Sequence, residues 1–183
     1  MRFKSWVCCG LGLIMLVGGV IQGQEEKRYV GKTAKEWIKI VKDKNAPQRK
    51  DGVEVLMSAG RIMAMEVGTE EVVAALVSAL DDKEEFLRAR AARGIGNFHA
   101  EAKSAVPALI KAMKATSKAA EQGGEEFARI HFLEALGDIG PSAKAAVPVV
   151  LHSLKDAEPR IRKKAAESLQ MIDPEAAKKA GIK

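Results

Sequence analysis

The sequence predicts an all-α fold, a solenoid of about four stacked helical hairpins. Alanine, lysine and glutamate are the most frequent residues, while only 4% of the 183 residues are aromatic, a composition that favours helix over sheet. An apolar quartet at the helical spacing i, i+3, i+4, i+7 occurs four times, at offsets of 39, 33 and 41 residues. A second apolar set follows each quartet, and the copies align with one another. Repetition of this kind is typical of proteins in which each unit buries its apolar face against its neighbours.

The quartets predict the first helix of each unit, because residues at these spacings share one face of a helix. They are Ala34, Trp37, Ile38, Val41; Val73, Leu76, Val77, Leu80; Val106, Leu109, Ile110, Met113; and Val147, Val150, Leu151, Leu154. The second helices are predicted by Gly52, Val55, Leu56, Ala59; Ala91, Gly94, Ile95, Phe98; Phe132, Ala135, Leu136, Ile139; and Ala165, Ser168, Leu169, Ile172.

Helix boundaries are predicted from capping residues, prolines and glycines. Thr33 and Glu36 fit a capping box. Further helix starts and ends are predicted at Thr69, Ser104 and Ser142 as caps, at Pro107 and Pro148 near first-helix starts, and at Gly137 and Gly140 as helix ends.

The expected domain organisation is a leader over 1–23, a linker over 24–32 and a repeat domain over 33–183. The units are expected at about 33–66, 69–98, 104–139 and 142–172, before a short C-terminal tail. Two longer connections, 58–68 and 116–124, interrupt the period, and we expect the second to be a mobile loop.

The leader has the layout of a secretory signal peptide, with Arg2 and Lys4 before an apolar run from Trp6 to Ile21. This run is shorter than the roughly 20 residues that a membrane-spanning helix needs. We therefore expect cleavage near Gly23, with an uncleaved membrane anchor as the alternative. The mature chain would then have no membrane span and would act in the periplasm or cell envelope, or be secreted. Both cysteines lie in the leader, so the mature chain would have no disulfide.

Two stretches carry a family resemblance: VPALIKAM from Val106, and ALGDIGPSAKAAVPVVLHSLKDAEPRIRKKAAESLQMIDPEA from Ala135. They resemble the HEAT repeat family, in particular its bacterial phycobilisome lyase HEAT-like variety. The resemblance covers residues 33–176. It implies that the second helices line the concave face of the solenoid.

The family pattern places an aspartate in the turn within each repeat and a basic residue six positions later. This chain has Asp43 with Arg49, Asp82 with Arg88, and Asp156 with Arg162, whereas Gly123 occupies the aspartate position before Arg129. The turn carboxylate can accept hydrogen bonds at the start of the second helix, while the arginine can reach a carboxylate of the stacked neighbour. By the resemblance, these residues form a structural ladder through the solenoid.

No constellation in the sequence indicates catalysis, a cofactor or a metal ion. The three histidines, His99, His131 and His152, lie in different units, and none has a second ligand at a metal-binding spacing. Carboxylate pairs such as Glu125 and Glu126 fall at second-helix starts, where negative charge is favourable. We therefore expect a protein that is not an enzyme and has no cofactor.

The surface best suited to binding is the outward stripe of the second helices, which carries charges of alternating sign. It comprises Asp51, Glu54, Arg90, Arg93, His131, Glu134, Asp138, Lys164 and Glu167. A surface that tracks phosphates would keep one positive sign, so nucleic acid is not the expected partner. Much of the stripe could instead pair with itself across repeats.

The sequence therefore predicts a monomeric, noncatalytic module for protein–protein interaction or scaffolding. Two alternatives remain at this point. The resemblance includes bilin lyases and isomerases, and it also includes HEAT-like proteins that bind nucleic acid.

Overall fold

The computed structural model describes residues 26–120 and 125–182, with only the backbone described for 117–120. The leader 1–23 lies outside these residues. The described chain contains a two-stranded hairpin, nine α-helices and two 3-10 helices. Their bounds are β1 Arg28–Tyr29, β2 Lys32–Thr33, α1 Ala34–Lys42, α2 Arg49–Val67, α3 Thr69–Val77, α4 Glu85–Gly96, a 3-10 helix His99–Ala105, α5 Val106–Ala120, α6 Glu126–Ile139, a 3-10 helix Gly140–Ala146, α7 Val147–Ser153, α8 Pro159–Ile172 and α9 Pro174–Lys179.

The helices pack in sequential pairs, which confirms the predicted all-α repeat architecture. Each first helix, α1, α3, α5 and α7, packs against the second helix that follows it. The second helices also pack on one another in order, α2 on α4, α4 on α6 and α6 on α8. The buried side chains of all four pairs form one hydrophobic core, so the units share their apolar faces as the repeat pattern predicts.

The predicted apolar positions are nearly all buried on the second helices, whereas several of those on the first helices are only half-buried. Every predicted apolar position of α6 and α8 is buried. On the first helices, Leu76 is fully buried, whereas Ile110 and Leu151 are half-buried and pack against the core from its edge. The positions just before the later quartets, among them Val72 and Ala105, are buried completely. The core-facing stripe of α3, α5 and α7 therefore lies about one residue earlier than their quartets indicate, whereas the quartet of α1 is buried as predicted.

The segment 58–68 is a correction to the sequence analysis. It continues α2 to Val67 instead of forming a connection, and Met63 within it is fully buried. Gly60 does not break the helix because its Cα faces Val72 and Phe98, only 3.3 and 3.4 Å from where a Cβ would lie. Likewise, α5 is helical to Ala120, so the first half of the predicted loop 116–124 is helix. Residues 121–124 lie outside the described residues.

The predicted linker 24–32 contains structure that the sequence analysis missed. Arg28–Tyr29 and Lys32–Thr33 pair as antiparallel strands, and the Trp37 indole donates a hydrogen bond of 2.5 Å to the Tyr29 carbonyl. The Tyr29 hydroxyl donates to Glu66 Oε1 at 2.6 Å. The hairpin thus covers the outer side of the first helical pair. At the other end, the expected tail contains α9, which packs on α8.

The capping predictions have mixed outcomes. The Thr33–Glu36 capping box is confirmed, with the Thr33 amide donating to Glu36 Oε2 at 2.7 Å. Thr69, Ser104 and Ser142 do not cap helices, because Gly68 precedes α3 and both serines lie inside 3-10 helices.

Pro107 and Pro148 lie in the first turns of α5 and α7 as predicted. Gly140 ends α6 with φ +68°, the left-handed conformation that glycine adopts readily. The prediction for Gly137 is wrong, because it lies inside α6, where a Cβ would come within 3.2 Å of the Ser168 Cα on α8. Gly137 therefore allows two second helices to approach closely.

Candidate functional site

An ion-pair ladder joins the units next to the surface that the second helices expose. Arg49 of the first unit pairs with Asp82 of the second, and Arg129 of the third pairs with Asp156 of the fourth. Both arginine side chains are only 4% exposed. Arg49 also donates to the carbonyls of Val41 at 2.9 Å and Ser78 at 2.8 Å, which are acceptors at first-helix ends of adjacent units. The arginines therefore connect neighbours, as the sequence analysis expected.

The rung between the second and third units uses an acid that the sequence analysis did not assign. Arg88 pairs with Glu125, two positions after the glycine that occupies the aspartate position. Glu125 adopts a left-handed backbone with φ +66° at the start of α6. A longer side chain from a displaced position thus completes the ladder. The sequence does contain a signal for this rung, because Glu125 lies four residues before Arg129 just as Glu84 lies four residues before Arg88.

The first and last residues of the predicted ladder, Asp43 and Arg162, form no rung among the described residues. Asp43 accepts a hydrogen bond of 2.9 Å from the Asn45 amide, just as Asp82 and Asp156 accept from residues two positions later. In the described residues, however, no basic side chain forms a rung with Asp43. Arg162 is exposed and donates to the carbonyls of Asp156 and Ala157 within its own turn. Asp43 and Arg162 are therefore turn residues without a stacking role.

The second-helix row, which we define as the outward faces of α2, α4, α6 and α8, contains all nine residues of the predicted stripe. They lie on α2 (Asp51, Glu54), α4 (Arg90, Arg93), α6 (His131, Glu134, Asp138) and α8 (Lys164, Glu167). Three pairs form among them. Glu54 pairs with Arg90 between helices, whereas the other two pairs, His131 with Glu134 at 2.9 Å and Lys164 with Glu167 at 2.8 Å, each lie within one helix.

Three members of the row, Asp51, Arg93 and Asp138, have no ion pair or side-chain hydrogen bond to other described residues. Asp51 and Arg93 are exposed, and Asp138 is half-buried. Self-pairing therefore accounts for only part of the row. Between α4 and α6 in particular, no direct ion pair joins the predicted residues of the described chain.

The row also carries an exposed aromatic pair that the sequence analysis missed. Phe86 and Phe127 are 53% and 42% exposed, and their rings stack across α4 and α6 with centroids 5.6 Å apart and an angle of 5°. The Arg90 guanidinium lies 4.5 Å from the Phe86 centroid. On the other side, His131 meets the Phe127 ring edge-on at 4.7 Å. The pair thus lies within the predicted stripe.

The aromatic pair has a signal in the sequence. The tripeptide Glu-Glu-Phe occurs at 84–86 and again at 125–127, in register with the repeat. Each phenylalanine is the second residue of its helix, and the same column holds Pro47 and Arg160 in the outer units. The pair therefore occupies the two central units only. The predicted stripe included only three positions per helix, and this column lies one turn before the first of them.

Asp138 is a carboxylate of the row whose pKa is raised above its ordinary value. Burial raises its pKa, and the negative charge of Glu134 raises it further, while His99 and Lys164 act in the opposite direction. Its carboxylate packs against α4, because a Cβ on Gly96 would lie 2.8 Å from Asp138 Oδ2. Lys164 makes its hydrogen bond to Glu167, which raises the pKa of Lys164 and lowers that of Glu167. Asp138 is thus held in a crowded position without a direct cation.

The net charge of the nine predicted residues differs in sign from that of the chain. The nine predicted residues include five carboxylates, three cations and one histidine, so the set has a net charge of −2 with the histidine neutral. The whole chain has a net charge of +6. These nine residues therefore form an acidic stripe, which adjoins the aromatic pair, on a basic protein.

Neither a metal site nor a membrane-spanning helix is found among the described residues. No cluster of three or more histidine, cysteine, aspartate or glutamate side chains there could hold a metal ion. None of the helices in 26–120 and 125–182 combines the length and the hydropathy needed to cross a bilayer.

The fold and the ladder define an α-helical repeat protein. Comparison with family models agrees: residues 146–174 match the HEAT repeat, and residues 87–115 match the PBS lyase HEAT-like repeat. The first match covers α7 and α8, and the second covers α4 and the beginning of α5. These two segments are similar to HEAT-like repeats, and the packing of the helices in sequential pairs is consistent with that similarity. No curated protein matches it.

Proposed function

We propose that this HEAT-like repeat protein is a noncatalytic protein-binding module that holds its partner against the second-helix row. The observation that carries the proposal is the stacked pair of Phe86 and Phe127, half-exposed in the middle of that row. Aromatic side chains are enriched at protein interfaces, where they bury large area with little loss of conformational entropy. Stacked helical repeats present such side chains on an extended surface.

The aromatic pair differs from the phenylalanines that support the fold. Phe98 and Phe132 are almost completely buried in the core. Phe86 and Phe127 instead leave about half of their surface in water, at an unfavourable solvation free energy of roughly 25 cal/mol per Å² of apolar area. A partner that covers the two rings would recover that free energy. This difference favours a binding role for the pair over a purely structural one.

The charges of the row support a protein partner over nucleic acid. Phosphate contacts need a positive surface, whereas the nine predicted residues of the row have a net negative charge. Six of the nine predicted residues pair with one another, Asp138 packs against α4, and Asp51 and Arg93 are exposed without a catalytic partner among the described residues. The proposal therefore assigns them to binding and not to acid–base chemistry.

A photo-crosslinking experiment tests the proposed surface. A photoreactive phenylalanine analogue replaces Phe127 in one variant, and in the control it replaces Lys111, an exposed residue of first helix α5. We expect a discrete protein adduct from the first position and none of the same mass from the second. Adducts of equal yield at both positions, or at Lys111 alone, would contradict binding through the row.

We also propose that the module acts after export, in the periplasm or cell envelope. The support is the signal-peptide pattern of residues 1–23. N-terminal sequencing of the protein purified from its native host should begin near Gln24. A chain that retains Met1 in the membrane fraction would instead indicate the uncleaved anchor, and a chain that retains it in the cytosol would refute export.

A further inference from the structure

We propose that the second-helix row recognises a basic protein segment that places an apolar side chain on Phe86 and Phe127 and a lysine or arginine on Glu134 and Asp138. This inference rests on the proposed function, because it assumes that the row is the binding surface. It adds the chemistry of the partner. Four observations on the described residues support it.

The first observation is the balance of charge. The predicted stripe contains five carboxylates and three cations, and two of those cations, Arg90 and Lys164, already pair with Glu54 and Glu167. Arg93 is the remaining cation. Arg160, in the column of the aromatic pair, is paired with Glu126. Among the nine residues, two unpaired carboxylates, Asp51 and Asp138, therefore stand against one unpaired cation, a balance that favours an incoming cation.

The second observation is the position of the carboxylates relative to the aromatic pair. Glu134 and Asp138 lie seven and eleven residues after Phe127 on the same helix. At 1.5 Å per residue these separations are about 10 and 16 Å along α6. An extended segment spans that distance in roughly three to five residues. One short segment can therefore contact both the rings and the carboxylates.

The third observation is the environment of Asp138. Its carboxylate is half-buried against α4, next to the like charge of Glu134, and the charged groups that face it from other elements are His99 and Lys164. Lys164 directs its hydrogen bond to Glu167. A partner cation would supply the direct contact that Asp138 lacks, and charge-assisted hydrogen bonds of this kind are strong.

The fourth observation is how neighbouring side chains contact the two rings. Arg90 stacks on Phe86, while His131 contacts the edge of Phe127. These contacts fix the orientation of both rings and leave about half of each exposed. Rigid, half-exposed aromatic rings are suited to anchor one apolar side chain of a partner.

The test uses the full chain and fluorescein-labelled peptides of about twelve residues in a Gly-Ser background, whose binding is followed by fluorescence anisotropy. One peptide carries a tryptophan followed, four and five positions later, by two lysines. A second peptide replaces both lysines with glutamate, and a third replaces the tryptophan with alanine. We expect the first peptide to bind at least about tenfold more tightly than either of the others. Equal affinity of the lysine and glutamate peptides would overturn the inference.

Matched variants locate the contact. Glu134→Gln with Asp138→Asn should weaken binding of the lysine peptide about tenfold or more, whereas Glu70→Gln with Glu71→Gln removes the same charge from first helix α3 and should leave it unchanged. Arg93→Ala should strengthen binding, because it removes the unpaired cation. This gain cannot result from loss of folding. An unchanged or lower affinity for Arg93→Ala would count against the inference.

A random peptide display library separates the two levels of the proposal. If the selected peptides are acidic or neutral and lose binding in a Phe86→Ala, Phe127→Ala variant, the basic partner is wrong and the proposed surface stands. If no selected peptide depends on these two phenylalanines, the proposed function fails as well. Preferential binding of single-stranded DNA to the row, abolished by Arg93→Ala, would overturn both.

Discussion

Single residues at the margins of the stack show how local environment sets their chemistry. Tyr29 is the chain's one tyrosine and is a buried residue of the terminal hairpin. Burial and the hydrogen bond to Glu66 raise its pKa to about 12. Both causes favour the neutral phenol, because ionisation would place a second negative charge beside Glu66.

The titration of Tyr29 can be observed without interference from other tyrosines. We predict a tyrosinate absorbance midpoint near pH 12 in the folded protein and near 10 in urea-unfolded protein. Because the folded-state pKa is the higher one, this group's contribution to stability is present below about pH 10 and is lost as pH rises toward 12. A folded-state midpoint near 10 would mean that Tyr29 is not buried beside Glu66.

Asp138 should reduce stability at neutral pH. Burial and Glu134 raise the pKa of this carboxyl in the folded state, so its stabilising effect is present in acid and is lost as pH rises through the folded-state value. We therefore predict that Asp138→Asn raises the free energy of unfolding at pH 7 and has little effect at pH 3, measured by urea unfolding. A variant that is less stable than the wild type at pH 7 would contradict this explanation.

At the scale of elements, the arginine–acid rungs explain how each helical pair is fixed to the next. Each rung combines a buried arginine of one unit with a carboxylate of the following turn. Breaking a buried pair by removing one partner leaves an uncompensated charge, which typically costs about 3–5 kcal/mol. The rungs therefore matter more than the exposed ion pairs of the surface, such as Lys44 with Asp81.

The ladder provides a prediction with an internal control. Asp82→Ala, Glu125→Ala and Asp156→Ala should each lower the free energy of unfolding by about 3 kcal/mol. Asp43→Ala removes the same kind of turn hydrogen bond without a rung and should cost only about 1 kcal/mol. Equal losses for Asp43→Ala and Asp82→Ala, measured by urea unfolding, would show that the turn hydrogen bond and not the rung stabilises the stack.

The sequence predicted the elements best where its periodicity was strong. Helical spacing located both helices of every unit, and the capping box located the start of α1, since these signals depend on residues close in sequence. The continuation of α2 through Gly60 could not be predicted in this way, because a glycine inside a helix is explained only by its contact with Phe98. The hairpin was missed for a similar reason, as Tyr29 is held by Trp37 and Glu66 from other elements.

The candidate site was predicted in part. All nine residues of the stripe lie on the second helices as expected, because column positions follow from the repeat. The stacking of Phe86 on Phe127 depends on the separation of α4 and α6, which small residues at their contact set. Likewise, Glu125 replaces the missing aspartate only because its backbone turns into the left-handed region. Such compensations between distant or strained positions are not visible in spacing alone.

At the scale of the whole molecule, the shared core makes the four helical pairs one structure. Contacts between α4 and α6 connect the first two units to the last two, on either side of residues 117–124. The rungs add a link at every unit boundary, and the second-helix row depends on this continuity because its aromatic pair takes one ring from each central unit. A short array of this kind should unfold cooperatively.

Calorimetric unfolding of the full chain and of its Asp82→Ala and Asp156→Ala variants tests this continuity most directly. We predict a single transition in which the calorimetric and van't Hoff enthalpies agree, and both substitutions should shift that one transition to lower temperature. Two separate transitions, with Asp82→Ala lowering only one and Asp156→Ala only the other, would show that the units fold independently and would contradict the account.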